Sequence, residues 1–144
     1  MIYWVRHGQS TWNVLDRMQG QELSPPLTDL GRAQSEQAAD ALVDRGVVCL
    51  LSSPATRAHE TAEIIGERLG LPVVTEPLLL EKGLDEDVVT VVARVQKLLD
   101  ADFPDHTVAV SHGDTIALAI GLLTGTPPTL PANGSISPDP GGLP

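Results

Sequence analysis

Short apolar runs of strand length alternate along this chain with longer segments whose apolar residues return every three or four positions, and that alternation limits the available folds more than any other feature. The runs at Ile2 to Val5, Val47 to Leu51, Val73 to Val74 and Val108 to Val110 have the length of strands rather than helices. Between the first two, Thr28 can cap a helix with Leu30, Ala33, Ala38, Ala41 and Leu42 on its apolar face, ending before Gly46. After the second, Ser53 reads as a cap with Pro54 at the first helical position, then Ala58, Ala62, Ile65 and Leu69 on one face and Gly70 as the stop. Two further helices are expected, from about Asp87 to Leu99 and from about Thr115 to Leu123, the second capped by Asp114. Strands joined through helices run mostly parallel with right-handed crossings. The expected class is therefore α/β, a three-layer α/β/α sandwich with a mostly parallel central sheet.

At 144 residues the chain holds one domain with a substantial core. Hydrophobic residues make up 42% but aromatics only 3%, so that core must be built from Val, Leu, Ile and Ala, as in a sheet covered by helices. There is no internal repeat. From Thr126 onward, prolines at 127, 128, 131, 138, 140 and 144 with several glycines oppose a regular helix or central strand. Residues 1–125 are accordingly read as the domain and 126–144 as a Pro/Gly-rich C-terminal tail.

The formal net charge of −10 repels nucleic acid and anionic membranes at long range, so neither is an expected partner. Phosphorylated small molecules feel the same field, and a phosphate site must be local, made by a few arginines in a pocket; Arg6 and Arg57 are the candidates. The single cysteine, Cys49, lies in an apolar run and reads as a small buried hydrophobe. No basic segment followed by an apolar stretch opens the chain, and no run approaches membrane-spanning length, which leads to the expectation of a soluble, cytoplasmic protein.

Arg6-His7-Gly8 closes the first apolar run, and Ser111-His112-Gly113 closes the last. Histidines delivered by two strand ends can meet at one edge of an α/β sheet, where such folds place ligand sites. A neutral imidazole nitrogen can attack phosphorus, while guanidinium groups spread the charge of phosphoryl oxygens through forked hydrogen bonds. This pattern points to phosphoryl transfer through a phosphohistidine. Gly8 would let backbone amides approach a phosphate, and the amides of Gly113 and Asp114 would add to an anion site at a helix start. An inward-pointing Asp114 carboxylate would oppose it.

Four segments in order, Arg6 to Asn13, Pro26 to Gln34, Ser52 to Ala62 and Ser111 to Gly113, resemble the histidine phosphatase superfamily, also called phosphoglycerate mutase-like. The resemblance implies that His7 is the nucleophile, that His112 lies beside it and donates to the transferring phosphoryl group, and that Arg6 and Arg57 clamp phosphate. It also implies Asn13 and Ser10 as phosphate donors, although Ser10 serves equally well as a plain helix cap. The family's general acid is a Glu after the third strand. Within Leu80-Glu81-Lys82-Gly83-Leu84-Asp85 the choice is Glu81, with Asp85 next, and the aromatic and second glycine of the family context are absent. Arg32, Arg45, Arg68 and Arg94 read as helix-surface charges, and His59 and His106 as unengaged.

Larger members insert a long helical segment after that Glu to cover the pocket, whereas here a helix begins near Asp87. The expected activity is that of a metal-independent phosphomonoesterase without cofactor, acting on small phosphorylated metabolites. Three alternatives stand beside it: a phosphohistidine protein phosphatase with a phosphoprotein substrate, a phosphoglycerate mutase, and a catalytically silent phosphate-binding or regulatory protein. Oligomeric state is left open.

Overall fold

Along the strand β1 (Ile2–Arg6), successive side chains part to opposite faces of a sheet, and both faces are covered. On one side Tyr3 and Val5 pack with Leu50, Val108 and Val110 beneath the helices α2 (Asp29–Leu42) and α3 (Thr56–Leu69). On the other, Trp4 packs with Leu51, Ala109 and Ile116 beneath α4 (Val88–Leu99) and α5 (Gly113–Thr124). Two apolar clusters separated by one sheet make a three-layer α/β/α domain, as the alternation predicts. The computed structural model describes residues 2–15, 23, 25–83, 86–125 and 129–138.

The remaining elements are the one-turn helix α1 (Thr11–Val14), the strands β2 (Cys49–Ser52), β3 (Val74–Thr75), β4 (Thr107–Ser111) and β5 (Ile136–Ser137), and a 3₁₀ turn at Pro77–Leu79. The sheet order is β3-β2-β4-β1-β5. β1, β2, β3 and β4 are parallel to their neighbours, and β5 runs antiparallel to β1. Because β4 returns between β2 and β1, the C-terminal ends of three adjacent strands open on one crevice edge, where open α/β sheets place their ligands.

Gly70 ends α3 in the left-handed region at φ 70°, as expected, and α4 begins where expected, with Asp87 capping it through Thr90 N. Three details differ. The face α2 turns inward is Gly31, Ser35, Ala38, Ala39 and Leu42, while Leu30 is 53% exposed and Ala33 and Ala41 face solvent. The reason is proximity, because small residues allow α2 to lie close to its neighbours, and hydrophobicity alone does not mark glycine or serine as inward. Second, α3 begins at Thr56 with Ala55 at its N-cap, so Ser53 is not its cap. Third, α5 begins at Gly113, with His112 at the N-cap, which places Asp114 in the first turn, facing solvent.

The expectation of a tail also needs revision for residues 129–138. Ile136 and Ser137 pair with Val5 and Trp4, Arg6 N donates to Ser135 O, and Gly134 N donates to the carbonyls of Arg6 and His7. Prolines are compatible with this position because a two-residue edge strand asks for few amide donors.

Gly8 and Gly31 lock two backbones together. A Cβ on Gly8 would lie 2.2 Å from Gly31 O, and one on Gly31 would lie 2.1 Å from Gln9 O. Backbone cannot swing aside as a side chain can, so Gly31→Ala must push α2 away from the loop after β1. We expect a loss of about 1–3 kcal/mol in urea unfolding, the usual range for overpacking. A change within error would show that the two segments separate freely.

Candidate active site

The register between β1 and β4 sets Arg6 beside Ser111, and each strand then continues by one residue into a histidine. His7 and His112 therefore face each other across adjacent parallel strands, ring centroids 5.2 Å apart at 64°. β2 lies on the other side of β4, with Ser52 beside Val110, and its next residue, Ser53, reaches the same edge. Both rings and the Ser53 side chain are buried.

Hydrogen bonding fixes the tautomer of His7. Nδ1 of His7 lies 2.6 Å from the Gly8 carbonyl, which only accepts, so Nδ1 carries the proton and Nε2 keeps its lone pair. Burial holds the His7 pKa down to about 3, opposed by the Gly8 hydrogen bond and reinforced by Arg57 and Arg6. His7 is neutral at physiological pH. Nε2 of His112 lies 2.8 Å from Ser53 Oγ, which itself accepts the Ala55 amide at 3.3 Å. With one lone pair so occupied, the Ser53 hydroxyl can donate to His112 Nε2 or accept from it, and in the first case Nδ1 of His112 is a donor. Burial, followed by His7 and the nearby arginines, holds His112 well below the usual histidine range.

Two buried nitrogens here, His112 Nδ1 and Arg6 Nε, have no hydrogen-bond partner among the described residues. A buried donor without an acceptor costs roughly 1–3 kcal/mol, so such nitrogens beside the neutral His7 ring suit an oxygen-rich anion. The Arg6 guanidinium is anchored by Nη1, which donates to Pro131 O at 2.6 Å. Gly113 packs against it, where a Cβ would lie 3.3 Å from Arg6 Cζ. Arg57, from the first turn of α3, is fully buried and donates from Nη2 to Glu81 Oε2 at 3.0 Å. Burial raises the Glu81 pKa and the Asp114 charge adds to the rise, while Arg57 and Arg6 pull it back.

The structure thus brings Arg6, His7, Arg57, Glu81, His112 and Gly113 to one edge. Gly8 is there too, but for another reason than expected. Its amide donates to Thr61 Oγ1 at 3.1 Å, and its missing side chain accommodates Gly31. Ser10 forms a capping box with Asn13: Asn13 N donates to Ser10 Oγ at 3.2 Å and Ser10 N to Asn13 Oδ1 at 2.9 Å. That arrangement turns the Oδ1 end of Asn13 toward the cap and leaves its Nδ2 as a donor. Asp85 lies outside the described residues.

Ser53, Thr61, Asn133 and Arg94 are site-supporting residues the sequence reading missed. Asn133 Nδ2 donates to His7 O at 3.2 Å. Ser53 carried a usable signal, since a polar residue one step beyond a strand is placed like the histidines. His59 is paired with Glu63 on the exposed face of α3, at 2.7 Å. Among the described residues, no helix is long and apolar enough to cross a membrane.

The histidine phosphatase superfamily (branch 1) family model matches residues 2–87, which include the first histidine, Arg57 and Glu81. The chain belongs to this superfamily. Among its curated relatives is a Yersinia pestis protein named "Probable phosphoglycerate mutase GpmB", 41% identical over 83 residues, covering 58% of this chain and 38% of the relative. The match thus spans well under half the length of such relatives. A mycobacterial glucosyl-3-phosphoglycerate phosphatase solved with VO3 superposes with a TM-score of 0.79 at 29% identity, over 94% of this chain and 88% of that one. A protein described as mycobacterial hydrolase 1 gives 0.80 at 30%, with the same coverage. The Bacillus stearothermophilus protein YhfR, at 24% identity and a TM-score of 0.81 over 94% of this chain and 88% of its own, shares the fold. The superfamily's members are named as phosphatases or mutases.

Proposed function

We propose that the protein is a phosphomonoesterase that works through a phosphohistidine and draws its positive charge from arginines, with small phosphorylated metabolites as substrates. The observation that carries this reading is the tautomer of His7: a neutral ring with Nδ1 tied to Gly8 O and the Nε2 lone pair free, between Arg6 and Arg57 and against His112. Nε2 attacks phosphorus as the ester P–O bond breaks. The electron pair of that bond leaves on the ester oxygen, which takes the proton of Glu81. Water then gives a proton to the Glu81 carboxylate and its oxygen attacks phosphorus, the P–N bond breaks, and its electrons return to Nε2. Arg6, Arg57, the Nδ1–H of His112 and the amide of Gly113 hold the equatorial oxygens, with Asn13 Nδ2 as a further donor. The comparison with a phosphatase solved with VO3 supports the same phosphoryl chemistry.

Raised by burial, Glu81 can carry the required proton, and dianionic substrate drawing on Arg57 would raise it further. Alkyl phosphates expel strongly basic alkoxides and need that proton, whereas p-nitrophenolate leaves without it. Glu81→Gln should slow alkyl phosphate hydrolysis by on the order of a hundredfold more than p-nitrophenyl phosphate hydrolysis and remove the descending limb of the pH profile. Equal slowing of both substrates would reject Glu81 as the acid.

A second reading, phosphohistidine protein phosphatase, is favoured by the short connection after Glu81, where residues 82–87 alone precede α4. So short a connection offers little chain to cover the site, which suits a protein side chain, and a phosphoramidate leaves with less help from an acid. It suits a mutase poorly, since a mutase must keep its phosphoenzyme from water. A panel of alkyl phosphates and phosphohistidine peptides, assayed with and without chelator, distinguishes the readings. Higher kcat/KM on the esters, unaffected by chelator, supports the proposal, and activity confined to the peptides favours the second reading.

A further inference from the structure

Arg94 reads from the sequence as a surface charge of α4, yet its side chain is only 14% exposed and points at the backbone that carries Glu81. Its Nη1 donates to Leu78 O at 3.1 Å and, at a very short distance, to Leu80 O. Its Nη2 donates to Glu86 Oε1 at 3.0 Å and reaches Glu81 O at 3.5 Å. Glu86 Oε1 also accepts the Gly83 amide at 3.0 Å, so one carboxylate ties the far end of the loop to the same guanidinium. Two more hydroxyls join, one from α5 and one from β4: Thr115 Oγ1 donates to Leu80 O at 2.9 Å, and Ser111 Oγ donates to Leu79 O. Every carbonyl from Leu78 to Glu81 is therefore held by a side chain, and Arg94 holds three of the four.

We infer that Arg94, clipped to Glu86, is a positioning residue that sets where the Glu81 carboxyl stands; this rests on the reading of Glu81 as the general acid. The physical ground is the mismatch between the task and the local backbone. Residues 81–83 lie outside any helix or strand, and a proton donor must stay within hydrogen-bond reach of the leaving oxygen. A planar guanidinium can bind several convergent carbonyls at once, which a lysine ammonium on a flexible stem does poorly.

The test measures kcat/KM for wild type, Glu81→Gln, Arg94→Met and the double variant across phosphate esters of increasing leaving-group basicity. Methionine keeps the apolar stem against α4 while removing the fork. Arg94→Met should slow alkyl phosphates by on the order of tenfold or more, part of the ~hundredfold or greater contribution of a general acid, with p-nitrophenyl phosphate nearly unchanged. The selective loss should vanish in the Glu81→Gln background, and Arg94→Lys should restore part of it. Equal slowing of all esters by Arg94→Met would make Arg94 merely structural, and a selective loss additive to that of Glu81→Gln would place its action elsewhere; either overturns the inference. If Glu81→Gln itself shows no selective loss, the acid assignment fails and the inference with it, a result distinct from both. Should Arg94→Met not fold, Glu86→Ala, at the opposite end of the clip, carries the same expectations and the same refutations.

Discussion

Replacing His7 by alanine is expected to lower p-nitrophenyl phosphate turnover by on the order of 10⁴-fold or more, because residues acting as nucleophile leave little catalysis behind when removed. The variant should still fold and bind inorganic phosphate, seen as a rise in Tm with phosphate concentration, since Arg6, Arg57 and His112 remain. With the folded pKa of His7 near 3, its ring is already neutral across the assay range, so an ascending limb in kcat/KM near pH 6 belongs to the second ionisation of the substrate phosphate. The stability consequence has the opposite appearance. The unfolded chain binds a proton at His7 near pH 6.5 and the folded one does so only near 3, so this residue's contribution to stability is lost as pH falls from 6.5 toward 3. Turnover by His7→Ala within tenfold of wild type would remove His7 from the chemistry.

Arg57→Ala is expected to lose on the order of a hundredfold or more in kcat/KM, the scale of deleting one donor from an oxyanion site. Its side chain is fully buried beside both histidines, and Lys at this position would keep the charge but not the fork, so Arg57→Lys should recover only a small part. The same substitution changes Glu81 in a signed way. Arg57 lowers the Glu81 pKa, so without it Glu81 should stay protonated to higher pH and the descending limb should move upward. Wild-type kinetics with an unmoved limb would show that Arg57 touches neither phosphate nor the acid.

Much of the frame is legible because strand-length apolar runs and helix-period segments alternate, and because Thr28 and Gly70 act as cap and stop in the expected way. The pairing of His7 with His112 follows from equal position at the ends of two strands, which sequence position alone makes visible. What was hidden has a common physical origin: contacts across layers, made by residues whose type signals little. The inward face of α2 is set by the close approach of Gly8 and Gly31, which an apolar count passes over. Ser53 looks like a cap because serine before proline commonly is one, but its hydroxyl is turned to His112 instead. Arg94 lies on a helix at a spacing consistent with exposure, and only the fold shows the 3₁₀ turn and the Glu81 loop packed over it. The segment 129–138 is proline-rich, yet it needs only a few amides to tie the backbone of Arg6 and His7 in place.

Rapid-quench trapping of the enzyme with ³²P-labelled p-nitrophenyl phosphate, followed by phosphopeptide mapping at alkaline pH, examines the central claim most directly. The account predicts label on the peptide containing His7, stable to base, lost in mild acid, and formed at least as fast as turnover. Label on another residue, or turnover without any trapped phosphoenzyme under single-turnover conditions, would contradict it.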